Sequence, residues 1–530
     1  MLAAEPGAVT AGAAAGRRRG RLPPSVAWAI AFVWLAFSIG LRPLTLPEEG
    51  RYVGVAWEML RSGDWLVPTQ DGLPFFHKPP LFYWITAASM QLFGANAAAA
   101  RAAPLLGAML GAVSLVWFVA RRIGADQARW TGLILMILPF FFGGAQFANL
   151  DMLVAGFIAL AVVFAADAAL AIGEGAPHRR SLVAAWAAAG FGVLAKGLIG
   201  VVLPGLVLVV WLLATRRPGT ILKLLSPLGL VVFLAIAAPW FIGVQMRHPG
   251  FAHYFFVYQH FERFAATGFN NVQPWWFLFA AVPALTLPWS PWLLRGIRGS
   301  LGKRAGDTST ATSTRRLMWI WLGGVLVFFS LPQSKPVGYA MPVLFPIAFL
   351  AADSALAAWR LERRWPRRAV QASLGLAVAI CIAAVVGSAA TYDRDNTALA
   401  RTLLKLRGAD EPVIFSGEYF FDIPLHARLK DPVPVTGDWT DPKIAMRDNW
   451  RRELAEAVPF APELAARVLV THEQGYALRC GTRTLWVVVR VDAEGRVSAL
   501  PGASRVATSN RGSLWRVPAA NCAAAAASAP

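Results

Sequence analysis

Charge is scarce in this sequence, and acid is scarcer than base. Only 15% of the 530 residues are Asp, Glu, Lys or Arg, with 30 acidic against 50 basic. Set against 56% hydrophobic residues, that excludes a soluble globular or disordered chain. It leaves a polytopic membrane protein. Cysteine occurs three times and histidine seven times. So few cysteines exclude a disulfide-stapled scaffold, and no Cys/His spacing suggests zinc or another metal. No Gly-rich phosphate loop is present, and no cofactor is expected. A net charge of +20 would suggest nucleic acid for a soluble chain. Here the basic residues fall in short loops between apolar runs, where they set orientation, so no nucleic-acid partner is expected.

Apolar and aromatic residues are abundant, with 22 Trp and 32 Phe. Residues 1–16 are Ala/Gly-rich, and residues 1–24 are expected to be disordered and cytoplasmic. Arg17, Arg18, Arg19 and Arg21 precede an apolar run without a small-residue cleavage site, which predicts an uncleaved first helix. Apolar runs predict about eleven spans within 25–391. They fall at 25–41, 102–120, 130–147, 150–171, 181–197, 198–214, 225–243, 276–295, 316–331, 337–359 and 369–391. The basic loops share one side only if the segment 81–97 does not cross. Residues 42–101 then form a large first loop with membrane-surface helices on the opposite face, the periplasm in a bacterium.

After residue 391 the polarity becomes ordinary. Val413 to Ser416, Arg467 to Thr471 and Thr484 to Val491 read as strands, with Trp515 to Val517 as the end of another. Arg401 to Leu406 and Ile444 to Ala457 read as helices. The expected fold class is therefore an α-helical polytopic membrane protein of about 11–13 transmembrane helices with a small periplasmic α/β domain over 392–530. Its Ala-rich end, 519–530, is expected to be loose. Cys480 and Cys522 can pair there if that compartment is oxidising.

Ionisable residues near lipid tend to mark sites, and here they gather at one face. Glu48 and Glu49 open an amphipathic helix whose apolar face is Tyr52, Val55, Ala56, Met59 and Leu60. Thr45 and Glu48 also match a capping box, which is a purely structural role. Lys78 is set among aromatics and before Pro79-Pro80, a stiff setting for a phosphate-binding point charge or for a snorkelling lysine. Asp151 is a candidate acid or a helix cap. Lys196 lies in apolar sequence, where some anion should meet it. Lys335 opens a helix whose dipole disfavours a cation, so a bound anion would explain it, and Tyr339 falls four residues on. The loop 253–276 carries Tyr258, His260, Glu262, Arg263 and the interfacial pair Trp275-Trp276.

Pro47-Glu48-Glu49-Gly50-Arg51-Tyr52, Glu58-Met59-Leu60, Ser62-Gly63-Asp64-Trp65 and Lys78-Pro79-Pro80 with Tyr83-Trp84 resemble the first periplasmic loop of the 4-amino-4-deoxy-L-arabinose transferases. These are relatives of the protein O-mannosyltransferases. Asp151, Ala195-Lys196-Gly197 and Ser334-Lys335-Pro336 with Tyr339 fall at matching positions. The resemblance implies an integral-membrane glycosyltransferase of the bacterial inner membrane, with active site and C-terminus in the periplasm. It implies a polyprenyl-phosphate sugar donor, a lipid A or other periplasmic acceptor, and inversion at C1. Glu48, Glu49 and Asp151 are then the catalytic candidates. Lys78, Lys196, Lys335, Tyr339 and Arg51 are the candidates for the donor phosphate. Two departures stand out. The family pattern begins Asp-Glu where this chain has Glu48-Glu49, and the residue before the motif lysine, commonly acidic, is His77. The alternatives are an O-mannosyltransferase-like acceptor choice, a lipid-linked-substrate transporter, or a membrane-anchored binding protein.

Overall fold

The computed structural model describes residues 23–262, 271–300, 308–361, 363–392, 395–480 and 483–520. Helices α1 (Pro24–Ala36), α2 (Glu48–Ser62), α3 (Leu81–Phe93) and α4 (Ala97–Ala100) precede and build the first loop. The helices that follow are α5 (Ala102–Arg122), α6 (Ala125–Met136), α7 (Pro139–Ala145), α8 (Leu150–Gly173), α9 (Arg179–Lys196), α10 (Ile199–Ala214), α11 (Pro218–Leu224) and α12 (Pro227–Arg247). Further apolar helices run at Phe277–Leu285, Ser290–Ser300, Ser309–Ser330, Leu344–Arg360 and Arg364–Thr391. Among the described residues five helical segments are long and apolar enough to cross a membrane, or seven with two bent pairs counted. α8 lies enclosed among its neighbours, whereas α12 and Arg364–Thr391 expose most of their surface, as lipid-facing helices do.

Two expected straight spans are broken. Over 130–147, α6 and α7 meet at 65°, and over 276–295 the helices Phe277–Leu285 and Ser290–Ile297 meet at 114°. Pro139 and Pro288 stand at the breaks, where a missing N–H and the pyrrolidine ring interrupt the helical ladder. α3 has 13 residues, so it rises only about 20 Å. That is too short for the roughly 30 Å hydrocarbon core.

In the first loop, β1 (Thr69–Gln70) and β2 (Leu73–Pro74) pair antiparallel around a two-residue turn. Asp71 and Gly72 take φ of 55° and 74° there, the left-handed backbone that such a turn requires. The C-terminal domain contributes β3 (Val413–Ser416), β4 (Val435–Thr436), β5 (Leu469–Val470), β6 (Leu485–Arg490), β7 (Ser504–Thr508) and β8 (Gly512–Val517). They form one sheet in the order β5-β4-β3-β6-β8-β7. The first four run parallel, β8 runs antiparallel to β6, and β7 runs antiparallel to β8. β3 is buried along its whole length, as a central parallel strand should be.

The domain is docked on the first loop rather than tethered beside it. Leu46 and Leu73 belong to its apolar core, together with Phe415, Phe421, Val435 and Trp486. α2 is therefore covered on its outer side too, and Gly50 leaves no space for a Cβ against Leu46 and Phe421. The helix expected at the membrane surface thus has one side taken up by the C-terminal domain. Arg61 donates to the Leu429 carbonyl at 2.9 Å, and the Tyr392 hydroxyl accepts from the Leu46 N–H at 2.5 Å. Cys480 is disulfide-bonded, while its expected partner, Cys522, lies outside the described residues.

Candidate active site

The N-terminus of α8 and the C-terminus of α9 bring two of the expected residues together. Asn149, not Asp151, caps α8, accepting the Asp151 N–H at 3.0 Å. That leaves the Asp151 carboxylate to meet the Lys196 ammonium in an ion pair. Asn149 Nδ2 donates to the other carboxylate oxygen at 3.1 Å. Lys196 is the last residue of α9, so its side chain leaves the helix end and lies over the Tyr339 ring, 4.2 Å from the centroid. Tyr339 comes from the 3-10 helix Val337–Val343 and packs on Phe329 at 5.1 Å. Gly338 must be glycine, because any Cβ would collide with the Asp151 carboxylate. A carboxylate, an ammonium and an aromatic face thus form one partly buried cluster, where electrostatic interactions are stronger than in open water.

α2 places its own residues beside this cluster. Tyr52 feels the charges of Lys196, Asp151, Arg51 and Glu453. In the sequence Tyr52 stands on an apolar face and in the first-loop motif but not among the site candidates, because a hydroxyl at a helical period resembles a core aromatic. The Arg51 guanidinium lies 5.2 Å from the Tyr52 ring and pairs with Glu453 of the C-terminal domain. Burial works against the charge on Arg51, but Glu453 outweighs it and strengthens the cation. Arg51 is thereby committed to the domain interface. Tyr83 is fully buried nearby, its hydroxyl without a hydrogen-bond partner.

The two glutamates at the start of α2 separate sharply. Glu48 is exposed, and no side chain caps the helix, so the capping box does not form. Glu49 is fully buried. Its carboxylate accepts from Arg101 Nε and Nη2, both at 2.9 Å, from Arg42 at 2.5 and 3.2 Å, and from the N–H groups of Thr45 at 2.8 Å and Ala148 at 2.7 Å. Burial pushes its pKa up, but Arg101 and Arg42 overcome that and hold it at about 2. With six donors on two oxygens, Glu49 has no lone pair left for a substrate proton. Its catalytic candidacy is replaced by a structural one: it ties α2 to α7, α8 and the α4–α5 junction.

Lys335 also departs from expectation. It is only 4% exposed, and its ammonium donates to the carbonyls of Gln273 at 2.8 Å, Pro332 at 2.5 Å and Gln333 at 3.4 Å. Three backbone acceptors satisfy three donors, so the cation pins two loops together instead of awaiting an anion. Lys78 is half-buried next to His77, which is itself buried. The side chains of His260 and Glu262, and Arg263 entirely, lie outside the described residues.

The comparisons bear on this arrangement. Residues 77–242 match the family described as dolichyl-phosphate-mannose-protein mannosyltransferase. An undecaprenyl phosphate-alpha-4-amino-4-deoxy-L-arabinose arabinosyl transferase of Aeromonas salmonicida is 33% identical over 72% of this chain and 70% of its own length. One from Pseudomonas fluorescens is 32% identical over 61% of this chain, a match that spans little more than half of that relative, 55%. Among solved structures, ArnT from Cupriavidus metallidurans bound to undecaprenyl phosphate superposes with a TM-score of 0.77 at 26% identity, covering 93% of this chain and 97% of that one. An archaeal oligosaccharyltransferase from Archaeoglobus fulgidus shares the fold alone, with a TM-score of 0.50 at 12% identity. The chain belongs to the undecaprenyl phosphate-alpha-4-amino-4-deoxy-L-arabinose arabinosyl transferase family and is a membrane glycosyltransferase.

Proposed function

We propose that this protein transfers 4-amino-4-deoxy-L-arabinose, or a closely related sugar, from undecaprenyl phosphate to lipid A at the periplasmic face of the bacterial inner membrane. The observation that carries the reading is the Asp151–Lys196–Tyr339 cluster beside Tyr52, set in a fold that a relative uses with undecaprenyl phosphate bound.

A lipid-linked sugar brings its phosphate to the membrane surface while its tail stays in the bilayer. As the bond from C1 to the phosphate oxygen breaks, negative charge grows on the leaving undecaprenyl phosphate. Lys78 and Lys196 meet that charge, and a cation there lowers the barrier only if it is held before the reaction begins. Asp151 and the Tyr339 ring hold Lys196 in this way. An acceptor oxygen forms the new bond to C1 from the opposite side. Glu48, exposed at the start of α2 and carrying no capping bond, orients that acceptor or takes its proton.

The purified protein with an undecaprenyl-phosphate sugar series and lipid A as acceptor is the test, read by the mass gain of lipid A. Glu48→Gln is expected to lower transfer by about 10²–10⁴-fold with an unchanged melting temperature. Glu48→Gln activity within about threefold of the parent would remove Glu48 from the mechanism. Sugar appearing on protein serine or threonine, with none on lipid A, would favour the O-mannosyltransferase-like acceptor instead.

A further inference from the structure

Five residues converge on one carboxylate where the first loop, the segment His253–Glu262 and the C-terminal domain meet. Glu456 lies on the helix Trp450–Ala457. Its Oε2 accepts from the Tyr254 hydroxyl at 2.7 Å. Its Oε1 accepts from the Tyr258 hydroxyl at 2.8 Å and from Arg452 Nε at 2.7 Å. Arg452 donates to the Tyr258 hydroxyl at 2.7 Å, closing a ring, and Gln259 donates to the Tyr254 hydroxyl at 2.8 Å. His77 completes the group, with Nε2 3.2 Å from Glu456 Oε2 and 3.3 Å from the Tyr254 hydroxyl.

His77 is buried and stacked on Phe75 at 4.7 Å, with Tyr254 edge-on at 5.9 Å. Its Nδ1 is buried without a hydrogen-bond partner, so the polar contacts of the ring run through Nε2. Docking by itself does not need this. Phe76, Phe251 and Phe460 already pack the same seam edge-to-face at 4.9–5.0 Å, and apolar contacts hold domains together without desolvating a charge. What the network adds is a fixed imidazole one residue before Lys78. Pro79 and Pro80 restrict the backbone on the other side of that lysine. The backbone of Lys78 is therefore restricted from both directions.

We propose that Glu456 is a positioning residue for the donor phosphate: through His77 it sets where the Lys78 ammonium stands, so the C-terminal domain completes the donor site. The proposal rests on the reading of Lys78 as a phosphate contact. The residue is remote from Lys78 in sequence, and a displacement of about 1 Å at a charge contact is enough to lose much of its effect.

A double-mutant cycle on the full-length protein in lipid nanodiscs tests it, with affinity for undecaprenyl phosphate as the readout. Lys78→Ala is expected to weaken binding. Glu456→Gln is expected to weaken it about tenfold, and the pair to be no weaker than Lys78→Ala alone, because Glu456 acts only through Lys78. In the transfer assay Glu456→Gln should lower kcat/KM for the donor by at least about tenfold, with kcat falling as well as KM rising, because Lys78 meets the bound phosphate and its growing charge. A double variant weaker than Lys78→Ala by the full Glu456→Gln factor would overturn the proposal, since independent effects multiply. An unchanged affinity in Glu456→Gln would overturn it as well. An unchanged affinity in Lys78→Ala would instead refute the phosphate reading of Lys78. If Glu456→Gln does not fold, His77→Gln enters the same cycle with the same expected and overturning outcomes.

Discussion

Glu48 and Glu49 stand about 100° apart around the axis of α2, which is enough to put one carboxylate outside and the other inside. The inner one keeps its charge because Arg42 and Arg101 are there to meet it. Removing one side of such a group leaves buried guanidinium groups uncompensated, at a cost of about 3–5 kcal/mol. Glu49→Gln is therefore expected to lower the melting temperature in detergent markedly, whereas Glu48→Gln leaves it alone and removes transfer. The pH dependence has a definite sign. Glu49 titrates at about 2 in the folded protein against 4.5 ordinarily, so its stabilisation is fully present above 4.5 and is lost as pH falls toward 2. The parent should lose stability across that acid window more steeply than Glu49→Gln does, and an equal slope in both would refute the assignment.

Which residues were legible at this scale follows from what each costs. Asp151 and Lys196 stood out because a lone charge in apolar sequence demands a partner, and they prove to be partners for each other. Lys335 stood out for the same reason and misled. Its acceptors are carbonyls of residues 273, 332 and 333, and nothing in a sequence marks a carbonyl as turned toward a cation. Glu456 was invisible, since a helical glutamate four residues from Arg452 is an ordinary surface pair until the fold brings His77, Tyr254 and Tyr258 to it.

Among elements, the β1–β2 hairpin shows how a local signal and a long-range role combine. The dipeptide Asp71-Gly72 is a strong turn signal in the sequence alone. The sequence does not say that the Asp71 carboxylate will be buried, accepting the Val433 N–H of the C-terminal domain at 2.7 Å, close to the buried Glu58. Glu58 receives the Thr69 hydroxyl at 2.8 Å and the N–H groups of Asp71 at 2.6 Å and Gly72 at 2.9 Å. Asp71 Oδ2 has no partner, and burial together with the Glu58 charge pushes Asp71 well above the usual carboxylate range. A raised pKa means that the folded state holds the proton more tightly. Stability from this group is thus complete below the ordinary value of 3.8 and is lost as pH rises through the folded value. Asn suits the left-handed turn and keeps an acceptor for Val433. Asp71→Asn is expected to melt higher than the parent at neutral pH and equally near pH 3.8, by scanning fluorimetry. A lower melting temperature at neutral pH would show that Asp71 is ionised in the fold. The bent pairs α6–α7 and Phe277–Leu285 with Ser290–Ile297 were half legible: their prolines were in view, but hydropathy sums over a break without registering it.

At the scale of the whole molecule the question is which way the chain faces. The basic clusters Arg121-Arg122, Arg216-Arg217 and Arg363 to Arg368 belong on the cytoplasmic side by the usual bias. That assignment holds only if the segment 81–97 stays on one face. The geometry adds an independent reason. Tyr52 from the loop before α3 lies with Lys196 and Asp151 from the helices after it, and a crossing at α3 would set the loop and these helix ends about 30 Å apart. The domain after Thr391 contacts the same loop through Arg51–Glu453 and His77–Glu456, so it must share that face. Periplasmic placement of the site and of the C-terminal domain is therefore one prediction rather than two. Alkaline phosphatase fused after Thr391 is expected to be active, and a reporter that fluoresces only in the cytoplasm is expected to be dark there. A bright cytoplasmic reporter would place the domain inside, and with it Lys78, Asp151 and Lys196, on the side where the basic loops were assigned. Because the contacts bind loop, helix ends and domain into one unit, that single result would reverse the orientation of the entire site.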